Sequence, residues 1–166
     1  RLARLAQAPQ HVIEGSGQLT SLGPDALDPK LTAAAFIMRF AKRSKTIYQT
    51  LMDQMVVAGV GNIYASDILW QARVYPFTKA NQLDKNQIRR IYEALRRILK
   101  LSVKLRGTSS GDYRDTAGEE GHYYPKRLVY DREGLPCYDC GTKIKREKRG
   151  GRSAYFCPRC QLLSSN

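Results

Sequence analysis

The sequence has no run of about 18 or more uncharged apolar residues, so nothing in it is long enough to cross a bilayer as a helix. It lacks the charged start and apolar middle of an export signal. We read a cytoplasmic protein, nucleoid-associated in a bacterium. Acidic charge is scarce: 15 Asp+Glu stand against 28 Lys+Arg, a formal net charge of +13. An imbalance of that size points to a polyanionic partner. A membrane surface fits less well, because no helical pattern joins a basic face to a broad aromatic one. Residues 1–83 carry a net +4 and residues 84–166 a net +9, so the excess lies C-terminally. Cysteine is absent from the first 136 residues, and all four fall between Cys137 and Cys160. There is no internal repeat, which excludes a solenoid. What is present, 166 residues with 42% hydrophobic content, suffices for one core or two small ones.

Along the chain, "QHVIEG" reads as a short strand and "GSGQLTSLGPDALDP" as a linker. Asp28-Pro29 supplies an N-cap and a first-turn proline for a helix to about Lys42, carried by Leu31, Ala34, Ala35 and Met38 with neighbouring Phe36, Ile37 and Phe40. Ser44 to Met55 and Asn62 to Ala72 carry helical periodicity. Asp84, with Gln87 three residues on, opens a long helix whose stripe runs through Ile88, Ile91, Leu95, Ile98 and Leu99. Its other face holds Arg89, Arg90, Arg96, Arg97, Lys100 and Lys104. From Gly107 to Tyr124 there is no period and there are four glycines, as in a functional loop. Beyond it, "TKIKREK" and "RSAYFC" predict a hairpin across Gly150-Gly151.

Cys137-x2-Cys140, sixteen residues, then Cys157-x2-Cys160 is the spacing of a four-cysteine zinc site. Four protein ligands leave no position for water, so one structural Zn2+ is expected. Two disulfides are the alternative, and they would need an oxidising compartment that nothing else indicates. The finger keeps a charge of +3 with thiolates and zinc counted, which suits phosphate contact. Between two helical segments lies "AGVGNIYA", where Gly59 and Gly61 clear side chains from the backbone and Asn62 is placed to cap the next helix. That describes a phosphate site at a helix N-terminus or, equally, a tight helix–helix turn.

"LMDQMVVAGVGNIYASDILWQARVYP", a long helix, a glycine-rich loop and a finger ending "FCPRCQ" together closely resemble the formamidopyrimidine-DNA glycosylase and endonuclease VIII family, from about Leu22 to Gln161. The resemblance implies a mainly α fold with a small β part: a helix-two-turn-helix domain followed by a β-hairpin four-cysteine zinc finger. It makes Asn62 a phosphate-contacting residue on a turn shaped by Gly59 and Gly61. It makes Arg152 the finger arginine that grips phosphates beside the lesion and donates a proton in the second elimination step. It makes Gly107–Tyr124 the loop that closes over a flipped-out base. The implied partner is double-stranded DNA with a damaged base or abasic site, met by a monomer.

The departures are specific. The family's N-terminal proline nucleophile, its glutamate acid and its hairpin lysine have no counterpart in a chain opening "RLARLAQAP". Arg1 matches, weakly, an arginine facing the estranged base. Ile47 is followed by Tyr48 where the family often has a phosphate-binding lysine, which leaves Arg43 or Lys45 as substitutes. Residues 1–27 are therefore expected to be the end of an N-terminal catalytic domain and a linker. Residues 28–125 are expected to form the DNA-binding domain, with its loop at 107–124, and residues 126–166 the finger. The expected function is the DNA-binding half of a glycosylase/AP lyase, binding DNA without catalysing alone. A non-enzymatic zinc-finger DNA-binding protein and a zinc-ribbon module for RNA or protein are the alternatives.

Overall fold

The computed structural model describes residues 22–108 and 121–162. Arg1, the "QHVIEG" strand and positions 109–120 of the glycine-rich loop lie outside the described residues.

Among the described residues, four α-helices precede one hairpin. Helix α1 is Ala33–Ala41, α2 is Ile47–Met52, α3 is Asn62–Gln71 and α4 is Lys85–Lys104. Strands β1, Lys145–Arg149, and β2, Arg152–Phe156, pair antiparallel with Arg149 opposite Arg152. Gly150 and Gly151, at φ +59° and +79°, supply the two positive-φ positions that a two-residue hairpin turn needs.

Helix α1 starts later than the sequence suggests. Thr32, not Asp28, is its N-cap, accepting from the Ala35 N–H. Asp28 instead closes a separate turn, its carboxylate accepting from Lys30 N and its carbonyl from Leu31 N. The buried face is Phe36 and Phe40, whose rings stack at 4.0 Å, while Met38 is exposed. An i, i+4 aromatic pair wins over the smaller residues because it removes more apolar surface from water.

The stretch read as linker is, from Leu22 onward, fastened to the helical domain. Gly23 N–H donates to the Gln54 carbonyl, and Ala26 N–H and the Pro24 carbonyl pair with Ala58. A Cβ on Gly23 would stand 2.7 Å from the Met55 carbonyl oxygen, so only glycine lets these segments meet.

Helices α2 and α4 both open with capping boxes, Thr46/Gln49 and Asp84/Gln87. The main core gathers Phe36, Ile47, Leu51, Ile68, Leu69, Ile91 and Leu95, and β2 contributes Ala154 and Phe156 to it. A second cluster joins Trp70 of α3 to Val129, Ile144, Tyr155 and two cysteines of the finger. Helix α3 thus lies between α4 on one side and β2 on the other. No helix among the described residues is long and apolar enough to cross a membrane.

Candidate nucleic-acid interface

The finger is organised by its four sulfurs. The Sγ atoms of Cys137, Cys140, Cys157 and Cys160 all lie within 4.8 Å of one another, with Cys137–Cys160 at 3.9 Å and Cys140–Cys157 at 3.5 Å. A tetrahedron of sulfurs about 2.3 Å from a zinc has edges of about 3.8 Å, so the set fits one ion. No disulfide is present among them. Trp70 donates from Nε1 to Cys137 Sγ at 3.4 Å, an outer hydrogen bond that orients a ligand thiolate. Arg73 pairs with Asp139 of the knuckle, a second tie between α3 and the finger.

Between finger and helices is an open notch of about 380 Å³, lined by Met52, Gln54, Gly59, Val60, Gly61, Asn62 and Arg152. The chain places these residues in three separate segments, and each has a local cause. Gly59 sits at φ +97°, a left-handed conformation that favours glycine. Gln54 holds that turn, accepting from Gly59 N–H and donating to the Met52 and Val60 carbonyls. Gly61 differs, because its φ of −104° is open to any residue. Among the described residues, chain neighbours aside, nothing lies within 4 Å of where a Cβ would stand at Gly59 or at Gly61. Neither backbone conformation nor a close neighbour therefore requires glycine at position 61, and its bare backbone faces the notch.

Asn62 is not the cap it was expected to be. Gly61 occupies the N-cap of α3 and makes no side-chain capping bond; Asn62 is the first helical residue. Its side chain is held inward by two phenols. Tyr48 Oη donates to Asn62 Oδ1, and Asn62 Nδ2 donates to Tyr130 Oη at 3.4 Å. Tyr48 Oη also reaches the Ser153 carbonyl at 2.6 Å, so one hydroxyl joins α2, α3 and the strand next to Arg152. Burial pushes the Tyr48 phenol up to about 12, which keeps it protonated and donating. Tyr130 is placed in turn by Asp67, a fully buried carboxylate. Asp67 accepts from the N–H groups of Leu128, Val129 and Tyr130 and from Tyr123 Oη. Burial raises the Asp67 pKa, and those four hydrogen bonds oppose the rise.

Arg152 is exposed with its Nη1 3.6 Å from Met52 Sδ, and among the described residues it forms no ion pair, which leaves its guanidinium available to an anion. Arg43 is not brought to the notch; it lines a separate hollow with Lys42, Ser44 and Thr50. Lys45 lies closer, sharing a groove with Arg149, Gly150 and Arg152 while pairing with Asp53 at 3.5 Å. Sequence reasoning left Gln54, Tyr130 and Asp67 without roles. Gln54 stood within the motif "LMDQ", but the phenol and the acid carry no local signal, since their partners are distant in sequence.

The family model described as the formamidopyrimidine-DNA glycosylase H2TH domain matches residues 22–114, more than half of the chain. The chain belongs to this family. A second model, the zinc finger found in FPG and IleRS, matches residues 134–162. The four-cysteine cluster is therefore a structural zinc site of FPG type. The formamidopyrimidine-DNA glycosylase of Heliobacterium modesticaldum is 43% identical over 140 residues, covering 84% of this chain and 50% of that protein. That of Listeria innocua is 43% identical over 143 residues, covering 86% and 52%. This family member thus spans about half the length of the curated relatives it matches. Among solved structures, the MutM (Fpg) protein of Thermus thermophilus superposes with a TM-score of 0.81 at 39% identity, covering 86% of this chain and 55% of that one. Lactococcus lactis Fpg, solved in complex with DNA containing an abasic site, superposes with a TM-score of 0.79 at 32% identity, covering 88% and 54%.

Proposed function

We propose that this chain is the DNA-gripping half of a base-excision glycosylase/AP lyase that acts on oxidised bases, and that it binds lesion or abasic duplex without excising a base by itself. One observation carries the reading: Gly61, free to bear a side chain in conformation and in space, is bare on a notch shared by Asn62 and the exposed Arg152. A phosphate in that notch would meet the first amides of α3, which have no carbonyl a turn before them, together with the helix dipole. It would also meet a guanidinium suited to bidentate contact. The likeness to Lactococcus lactis Fpg, whose complex contains abasic-site DNA, supports the same assignment.

The polar and sulfur side chains gathered at the notch are two amides, a guanidinium and a thioether. They grip and orient. None is the amine nucleophile or the carboxylic acid that excision and elimination require. Arg152 holds the phosphates beside the lesion, and the proton-donor role in the second elimination rests with it.

Two measurements on the full chain test this. Arg152→Ala lowers affinity for an abasic-site duplex about tenfold and reduces the salt slope by about 0.9. Borohydride reduction of the wild-type complex yields no covalent adduct. Unchanged affinity on Arg152→Ala removes the grip, and a trapped adduct removes the division of labour.

A further inference from the structure

The basic face of α4 has no role in the notch. Tyr64 of α3 bonds Ser102 of α4, Oη to Oγ 2.5 Å, while Asn62 and Ser66 look the other way, to Tyr48 and to the backbone N–H of Tyr155. Residues 62 and 64 are about 200° apart around a helix. The notch and the outer face of α4 therefore lie on opposite sides of a two-helix layer, about 20 Å thick from helix diameters alone.

That outer face is a single row: Lys85, Arg89, Glu93, Arg97, Lys100 and Lys104 follow one another at i+4 or i+3, and all six are exposed. Nineteen steps of about 1.5 Å from Lys85 to Lys104 make the row about 28 Å long, the rise of about eight base pairs. Two other arginines of the helix are already engaged. Arg90 Nε donates to the Ala72 carbonyl, and Arg96 Nη1 to those of Ala26 and Asp28. The five cations of the row differ: among the described residues none forms an ion pair, even with Glu93 between two of them. Holding five cations in a straight row against the single carboxylate of Glu93 is a cost that a polyanion removes.

We infer that the outer face of α4 is a second duplex-binding surface, taking the phosphate backbone of a DNA segment other than the one in the notch. A straight duplex cannot lie on both sides of the layer, so one chain holds two segments at once. The row carries no aromatic side chain to enter a membrane interface or to stack on unpaired bases.

The test uses the full chain and a labelled, undamaged duplex of about 12 base pairs, longer than the row's footprint. Sedimentation at one stated salt concentration reads the number of duplexes per chain. Wild type carries two. Combined Arg89→Gln, Arg97→Gln, Lys100→Gln and Lys104→Gln, with unchanged circular dichroism, carries one; the affinity of the second event falls at least about tenfold, and its salt slope drops by about 3 to 4. Arg152→Ala weakens the other event and leaves this one, so failure of the notch and failure of this surface are separately visible. A single duplex at saturation, or two on the combined variant, overturns the inference. So does tighter α4-dependent binding of structured RNA or phosphatidylserine vesicles at the same salt.

Discussion

Tyr48→Phe isolates one hydroxyl at the junction of three segments. The ring is 1% exposed and stays packed on the core, so volume is conserved and no cavity opens. What is lost is one O–H, shared between Asn62 Oδ1 and the Ser153 carbonyl. Leaving buried acceptors unmet costs about 1–3 kcal/mol, which in a chain of this size lowers Tm by about 3–8 °C. The affinity for an abasic-site duplex should fall about tenfold, about 1.4 kcal/mol, because Asn62 and the strand bearing Arg152 lose their common anchor. Its salt slope should not change, since the phenol is neutral; removal of the Arg152 charge does change it. The alkaline limb adds a third readout. Burial raises Tyr48 from 10.0 to about 12, so between those values the unfolded chain releases a proton that the native state retains. The stability this group contributes is intact below pH 10 and is lost as the pH rises toward 12, and the variant lacks that decline. Thermal unfolding and fluorescence anisotropy at several salt concentrations decide the matter. A lower Tm with unchanged affinity would refute the reasoning, leaving Tyr48 a strut for the hairpin alone.

Chelation of the zinc should change the fluorescence of Trp70, the only tryptophan, because its indole N–H bonds a ligand sulfur; Cys157→Ser should mimic the change without chelator. Asp67→Asn should lower Tm by about 6–12 °C, from roughly 3 kcal/mol, since an amide turns an N–H₂ group toward one or more of four donors; an unchanged Tm would mean that the carboxylate is already protonated. Gly61→Ala should leave Tm within about 3 °C while weakening binding to abasic duplex, because the added methyl enters the notch and touches nothing in the protein. Gly59→Ala should do the reverse first, losing about 1 kcal/mol or more to its left-handed backbone.

Much of this fold is written locally. The stripe of α4, its Asp84/Gln87 capping box, the Gly-Gly hairpin and the cysteine spacing are short-range patterns, and each appears where the sequence places it. The misreadings have tertiary causes. Asp28-Pro29 is a sound helix start by local rules, yet the chain first needs a turn there so that Leu31 can be buried and Ala26 can pair with Ala58. Residues 22–27 look like linker because they open on a Gly-Pro pair, but Gly23 is there for a backbone contact with residues about thirty positions away. Tyr48 could be noticed only as a departure from the family, since its partners Asn62 and Ser153 are 14 and 105 residues distant.

The misreading at Asn62 says the most about function. Helices α1, α2 and α4 each close their first turn with a side-chain cap from Thr32, Thr46 or Asp84. Helix α3 has an asparagine within one residue of its N-cap and does not use it: Gly61 takes the position, and the amide is drawn aside by Tyr48 and Tyr130. Glycine at the cap costs only about a few tenths of a kcal/mol relative to asparagine, but local stability alone still favours asparagine there. The sacrifice leaves the first amides of α3 uncovered on the notch, next to an arginine without an ion pair among the described residues. A local rule broken at a helix end that opens onto a charged notch is the pattern expected where folding yields to ligand binding, and it supports the proposal that the α3 N-terminus receives an anion.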